Sequence, residues 1–341
     1  MSKIAILGFG REGQAVYKYL LGFHPNRLEI WVLDQNPKVK VPRGVHKQLG
    51  KNYLRGLEKF DLIFRSPGVP LNLLKVTFNR LAVTSLTKLF FSKCPCPIIA
   101  VTGTKGKGTT ATLLYLALKK SGWRAHLAGN IGAPALNLLS KLHDVRRREI
   151  VILELSSFQL QDLEKAPQIA VVVDVFPDHL DVHKTLEEYY QAKAQIAIKQ
   201  TPEDVIFYLA DNKLSARIAK QSPGRHISVW HYVSAKARQD LKKYLQIPGM
   251  HNYRNAQAAY AVAKYLGCPH KKIIDAFSKF RGNEHRLEFV RAVKDVRYFN
   301  DSANTDPEGT VAATRAFKEP KIIIAGGKDK GLDYKIWAKA L

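Results

Sequence analysis

The sequence predicts an α/β fold built largely from parallel sheets and divided into three pieces. Three observations carry this. Short apolar, β-rich runs recur along the chain. Amphipathic helical stretches lie between many of them. Two glycine-rich turns each follow such a run and open a helical pattern.

The strand-like runs are, in order, KIAIL (3–7), IWVL (30–33), DLIF (61–64), PIIAV (97–101), IVILEL (150–155), IAVVVDV (169–175), VIFYLA (205–210), HISVW (226–230), VRYF (296–299) and KIIIAG (321–326). Their continuous apolar character suits strands covered on both faces. EEYYQAKAQIAIKQ (187–200) and RNAQAAYAVAKYLG (254–267) read as helices between them. A Cys-Pro-Cys-Pro stretch at 94–97 and the RGN turn at 281–283 mark seams. The pieces are therefore 1–92, 93–282 and 283–341. The last is short for a doubly wound domain and stops inside the helical pattern LDYKIWAKAL, so an incomplete C-terminal unit is expected.

Composition excludes several classes. At 46% hydrophobic and 24% charged residues, the chain is an ordinary folded one. The opening MSKIAILGFG runs straight into a strand pattern without a secretory leader, and no apolar run is long enough for a membrane helix. Three cysteines make no disulfide framework and suit a cytoplasmic location. The net charge of +25 raises the possibility of nucleic acid. The Lys and Arg residues are scattered, however, with no basic tail and no aromatic-basic stripe, which favours anionic small substrates over nucleic acid.

The first glycine turn is Gly8-Phe9-Gly10-Arg11-Glu12-Gly13, and Asp34 ends the next strand-like run. Glycines there let backbone approach a diphosphate at a helix N-terminus, and an acid about 20 residues on suits a ribose. Alone, this pattern reads as an NAD site. Ser66-Pro67-Gly68 follows DLIF and falls on the ligand edge of the same sheet, or is a simple turn.

The second turn, VTGTKGKGTT at 101–110, is the stronger signal. Gly103, Thr104, Lys105, Gly106, Lys107, Gly108, Thr109 and Thr110 form a phosphate loop in which backbone N–H groups face an anion and Lys107 reaches β- and γ-phosphates. It departs from the Walker pattern, which places Ser or Thr where Gly108 stands. Glu154 near the end of IVILEL is placed like a magnesium-binding carboxylate. DHLDVH (178–183) and Lys193 follow. Taken singly, the Glu reads as a cap, the His-Asp cluster as a zinc site without its cysteines, and the Lys as a solvated helix residue. Their order after a phosphate loop points to phosphoryl chemistry, and two anion loops argue against an oxidoreductase.

At these residues the sequence resembles the Mur ligase family. The matching motifs are VTGTKGKGTT, GNIG (129–132), ELSSFQL (154–160), DHLD (178–181), YYQAKAQI (189–196), HNYRNAQAA (251–259), HRLE (285–288), NDSANTDP (300–307) and GGKDKGLDY (326–334). ELSSFQL and GGKDKGLDY separate the D-glutamate-adding member from its siblings. The resemblance implies a UDP-binding Rossmann-like domain, a central ATPase and a C-terminal Rossmann-like domain. It implies a cytoplasmic, monomeric enzyme of peptidoglycan precursor synthesis. That enzyme joins D-glutamate to UDP-N-acetylmuramoyl-L-alanine through an acyl phosphate, using ATP and two Mg²⁺ ions. Site roles follow from the same resemblance. Gly8, Gly10, Arg11, Glu12, Gly13, Asp34, Ser66, Pro67, Gly68 and Asn130 would hold the UDP-substrate, with Asp34 near the uracil. Lys107, His179 and Lys193 would be catalytic. Glu154, His179 and a carbamylated Lys193 would hold magnesium, with Thr109 in place of the usual hydroxyl. Asn252, Asn255, Arg286 and Asp301 would contact ATP, and Thr305 with Lys330 would bind D-glutamate. Gly108 and Ala303 (a Lys in the common NDSKAT form) depart from the family pattern. Sibling ligases, a folylpolyglutamate synthase-like enzyme, an NAD-dependent oxidoreductase and a non-catalytic nucleotide-binding protein are the competing readings.

Overall fold

The computed structural model describes residues 2–22, 28–74, 83–142, 148–178, 182–183, 185–304, 307–327 and 333–341. The N-terminal piece comprises β1 (Ser2–Leu7), α1 (Arg11–Leu21), β2 (Leu28–Asp34), β3 (His46–Leu49), β4 (Leu62–Arg65), β5 (Val83–Ser85) and α2 (Leu86–Lys93). All its strands are parallel, in the order β3-β2-β1-β4-β5. Because β2 lies on one side of β1 and β4 on the other, the turns leaving β1 and β4 diverge and open a crevice at the strands' C-terminal ends.

The central piece repeats this logic. It runs β6 (Ile98–Thr102), α3 (Lys107–Lys120), β7 (Arg124–Gly129), β8 (Glu149–Glu154), α4 (Ser157–Leu160), β9 (Ile169–Val172), α5 (Leu186–Ile198), β10 (Val205–Tyr208), α6 (Lys213–Ala219), β11 (Arg225–Ser228), α7 (Val229–Tyr232), α8 (Ala235–Tyr244), α9 (Met250–Tyr265) and α10 (His270–Ser278). The six strands are parallel, ordered β11-β10-β9-β6-β8-β7. β6, β8 and β9 are buried at every position, which is why their centres read as continuous apolar runs. Ala256, Ala258, Ala259, Ala261 and Ala263 make α9 small on all sides, so it is fully covered where it packs along α3. The order reverses beside β6. The turns after β6, β8 and β9 therefore meet at one sheet edge.

The last piece holds the antiparallel hairpin β12 (Glu288–Val293) and β13 (Val296–Asn300), then α11 (Pro307–Arg315) and α12 (Lys335–Ala338). Here one expectation is corrected. KIIIAG is no buried strand: residues 321–327 lie outside any strand, and Ile322 and Ile324 are 96% and 98% exposed. Among the described residues no strand lies beside it. High β-propensity without a partner ladder or a packing surface does not make a strand. Also among the described residues, no helix is long and apolar enough to cross a membrane.

The first two pieces share one contiguous apolar cluster, in which Phe90 and Phe91 of α2 join Ile6 and Phe64 to Val151 and Leu153. A buried ion pair crosses the same seam. Arg65, at the end of β4, is 1% exposed and donates to Val69 O (2.9 Å), Phe158 O (3.1 Å) and Asp162 Oδ2 (3.1 Å). Removing one partner of a buried pair strands the other charge away from water. Asp162→Ala is therefore expected to destabilise the protein by about 3 kcal/mol, read as a lower urea midpoint at unchanged slope.

Candidate active site

Two sites lie at the two sheet edges and touch at one residue. The crevice of the first sheet forms a cavity of about 670 Å³. Gly8, Gly10, Arg11, Glu12, Asp34, Ser66, Pro67, Gly68 and Asn130 all line it. Gly8 adopts φ +86° and abuts Ser66, whose hydroxyl donates to Gly8 O at 2.7 Å. Gly13 does not line the cavity. A Cβ there would stand 2.1 Å from Gly8 O, so this glycine lets α1 pack onto the turn. Both Asp34 oxygens accept backbone N–H bonds, from Phe9 (2.7 Å) and Asn36 (2.8 Å), which fix the carboxylate in the cavity wall with acceptor sites to spare. Tyr53, Gln35 and Pro134 are among the further wall residues that were not predicted.

The central piece contributes to this cavity through the GNIG turn. Arg11 donates to Gly132 O, bringing α1 against that turn. Gly129 has φ +105°, and a Cβ on it would meet Glu154 O at 2.3 Å. The close approach lets Asn130 bond Glu154 twice, N–H to O at 3.0 Å and Nδ2 to Oε1 at 3.3 Å. Asn130 thus belongs to the cavity and to the phosphate-loop site at once.

ELSSFQL makes a second link. Ser156 and Gln159 form the capping box of α4. Gln159 Oε1 accepts from Ser156 N–H (3.0 Å), and its Nε2 donates to Glu12 Oε1 at 2.6 Å. Burial raises the Glu12 carboxyl above its usual range. The Gln159 hydrogen bond and the Arg65 charge oppose that shift.

Around the phosphate loop, the N–H groups of Thr104 (2.7 Å) and Lys105 (3.3 Å) donate to Asp174 O. The Thr104 hydroxyl meets Phe176 and Tyr189 OH (2.8 Å). Thr104 consequently braces the loop from behind. The groups left for an anion belong to the first turn of α3, from Gly106 to Thr109, because the first intrahelical bond runs from Thr110 N–H to Gly106 O. Asn255 packs on Gly106, where a Cβ would lie 2.0 Å from its Oδ1, and its carbonyl accepts from Thr110 Oγ1 at 3.4 Å. Asn252 donates to Pro248 O at 2.7 Å.

Lys107 and Lys193 converge on one oxygen: both ammonium groups donate to Gly103 O, at 3.1 Å and 2.8 Å. Lys193 is 2% exposed and lies 4.7 Å from the Tyr189 ring centroid. Burial lowers the pKa of each. The neighbouring Lys107 charge drives Lys193 lower still, and Asp178 and Glu154 partly counter it. Glu154 is 6% exposed. Arg286 is exposed, and its charge acts on Lys107. Asp301 braces its own neighbourhood, accepting from Leu287 N–H (3.0 Å) and Asn304 Nδ2 (2.9 Å). His179, Thr305 and Lys330 lie outside the described residues, and among the described ones no three His, Cys, Asp or Glu side chains cluster for a metal. The residues missed in the sequence are Asp174, Tyr189, Gln159 and Asn283. The last three sit inside quoted motifs or at a seam, yet nothing in composition singles them out.

Residues 101–246 match the family described as Mur ligase middle domain. A UDP-N-acetylmuramoylalanine--D-glutamate ligase of Ruminiclostridium cellulolyticum is 36% identical across 97% of this chain and 76% of its own length. The ligase of the same name from Acetivibrio thermocellus is 35% identical over the same shares. Among solved structures, a MurF from Acinetobacter baumannii superposes with TM-score 0.55 at 16% identity, covering 92% of this chain and 70% of its own. The MurF ligase of Thermotoga maritima in complex with ADP does so at 0.53 and 17%, covering 92% and 71%. At such identities the structures speak for the fold alone.

The raised Glu12 pKa has a pH signature. A carboxyl whose folded pKa exceeds its unfolded one is penalised once ionised, so the penalty is absent below the unfolded value near 4.5 and grows as pH rises through the folded value. The isosteric Glu12→Gln removes it. The variant should melt above wild type at pH 8, by about 2 °C or more. The gap should close toward pH 4, as read by thermal unfolding across that range.

Proposed function

This chain belongs to the Mur ligase family, and we propose that it joins D-glutamate to UDP-N-acetylmuramoyl-L-alanine at the expense of ATP. One observation carries the reading: Asn130 and Glu154 join a cavity built on a diphosphate-type glycine turn to a phosphate loop. A nucleotide-sugar in the cavity would point its acyl end at the γ-phosphate of ATP on the loop. We assign 1–92 to the UDP-substrate, 93–282 to ATP and 283–341 to the amino acid, with Thr305 and Lys330 as its contacts. The enzyme acts as a cytoplasmic monomer.

The substrate carboxylate attacks the γ-phosphate and ADP leaves. The D-glutamate amine then attacks the acyl carbonyl, and phosphate leaves. Three anions must meet, so the protein's task is positioning and charge neutralisation. Lys107 and the α3 N-terminus face the phosphates, and Asn130 orients the acyl end. Glu154 suits a divalent cation, being a buried carboxylate beside the loop, with His179 and Lys193 as companions. Magnesium held there would neutralise phosphate charge. Burial and the adjacent Lys107 favour the neutral amine of Lys193. That amine can attack CO₂, forming an N–C bond and releasing a proton to solvent. The carbamate so formed puts a metal-seeking anion where the amine stood.

Phosphate release in the presence of ATP, UDP-N-acetylmuramoyl-L-alanine and a panel of amino acids tests the proposal. Only D-glutamate should support turnover, and Lys107→Ala should reduce kcat by at least roughly 100-fold. Near-normal turnover in that variant would remove the loop from the mechanism. Lys193→Ala should lose comparable activity and regain part of it with short-chain carboxylic acids. Full activity of wild type in CO₂-free buffer, with no rescue of the variant, counts against the carbamate.

A further inference from the structure

Gly108 is the anomaly of the phosphate loop. A hydroxyl normally follows the loop lysine and faces the nucleotide's metal ion. The backbone does not require glycine here. Gly108 lies within α3 and is absent from the positive-φ glycines, unlike Gly106 at +85°. The helical backbone at 108 would accept any L-residue, so the surroundings decide what a side chain would meet there.

A Cβ at 108 would stand 3.3 Å from Glu154 Oε2, 3.3 Å from Asn283 Nδ2 and 3.5 Å from Ile131 Cδ1. A carboxylate, a carboxamide and a methyl group already converge on the space a side chain would enter. Asn283 arrives there from the turn linking α10 to β12. Gly282 opens that turn at φ +108°, and His285 and Leu287 follow at +61° and +44°. The turn is closed by Arg286 N–H to Asn283 O (3.1 Å) and braced by Leu287 N–H to Asp301 Oδ1 (3.0 Å). Thr109 cannot take the same place, because one residue along a helix turns the side chain by about 100°.

We propose that the Asn283 carboxamide replaces the missing hydroxyl of residue 108 on the metal-facing side of the phosphate loop, so that Gly108 and Asn283 form one compensated pair. This rests on the reading of the loop as a magnesium–nucleotide site. Nδ2, a donor, suits the Glu154 carboxylate. A half-turn of the terminal torsion presents Oδ1, the neutral oxygen that hard divalent cations accept as a ligand. Asn283 is the first residue of the 283–341 piece, so the ion's environment would be completed by the piece assigned to the amino acid.

Mn²⁺ serves as the probe, its affinity measured by electron paramagnetic resonance with saturating ADP, and ADP affinity is measured separately in EDTA. Asn283→Ala should weaken Mn²⁺ at least about 10-fold and leave ADP binding in EDTA unchanged. Asn283→Asp, which keeps an oxygen at the site, should retain Mn²⁺. Gly108→Ser alone should also weaken the ion, since its side chain meets Asn283, whereas Gly108→Ser/Asn283→Ala should return to within about three-fold of wild type. The proposal is overturned if Asn283→Ala holds Mn²⁺ normally, if ADP affinity falls equally in EDTA, or if the double variant is no better than Asn283→Ala. Wild-type protein that binds no ADP at all overturns the nucleotide reading instead.

Discussion

The carbonyl of Asp174 is the fixed point of the central piece. It accepts the N–H groups of Thr104 and Lys105 and so sets the path of the phosphate loop. Its own position is held through the side chain. Arg254 of α9 grips the Asp174 carboxylate with Nε (3.1 Å) and Nη2 (2.7 Å), and Asn212, the cap of α6, adds a third contact at 3.3 Å. Arg254 also pairs with Asp211. One residue therefore joins the loop, the end of β9, α6 and α9. With that carbonyl in place, Gly103 must pass close to Val173, and the first turn of α3 points its free N–H groups outward. The outward set of those N–H groups follows from how the loop is tied down behind.

From there the coupling runs through Glu154 to the other sheet. Glu154 bonds Asn130 in the cavity wall. Two residues on, Ser156 is bonded by Gln159, which reaches Glu12 in the first turn of α1. Arg65 and Asp162 clamp α4 from the side, with the guanidinium wholly buried. A chain of polar contacts this short, inside an otherwise apolar seam, leaves few ways for the two sites to shift independently. The motif ELSSFQL spans both of its ends, which explains why a tetrapeptide helix carries so many polar side chains.

This division of labour decides what could be read from the sequence. Strands β6, β8 and β9 were legible because burial on both faces writes a continuous apolar run through their centres. The edge strand β7 was not, since RAHLAG mixes Arg124 and His126 with its apolar positions, and both of those pair with the buried Glu149. KIIIAG misled for the converse reason: its composition is that of a core strand, but strand formation is a property of the neighbours. At the site, the glycine spacings located both turns correctly, because the demand for backbone approach is local. The Thr104 hydroxyl looked like a ligand contact and is engaged by Phe176 and Tyr189, whereas Asp34 accepts two backbone N–H bonds and still lines the cavity. Whether a polar group faces a ligand or its own fold is a tertiary fact. Asn283 is the extreme case: its significance appears only beside Gly108, far away in the chain.

The pairing of Lys107 and Lys193 on Gly103 O gives the site its electrostatic character. Charging both amines would set two cations against one carbonyl where solvent screens little, which is why burial and the Lys107 charge push the Lys193 amine toward its neutral form. Asp178 and Glu154 counter this in part, but both lysines still have lowered pKa values. The arrangement is unfavourable to the fold on its own account, and a core of apolar residues could replace it at lower cost. An anion bound at the loop would offset that cost. Phosphate arriving at the α3 N-terminus would relieve the repulsion, and a negative charge fixed on the Lys193 nitrogen would relieve it from within. Anionic reactants at the α3 N-terminus would offset that penalty, and the net charge of +25 spread over the chain would favour their approach without guiding them further.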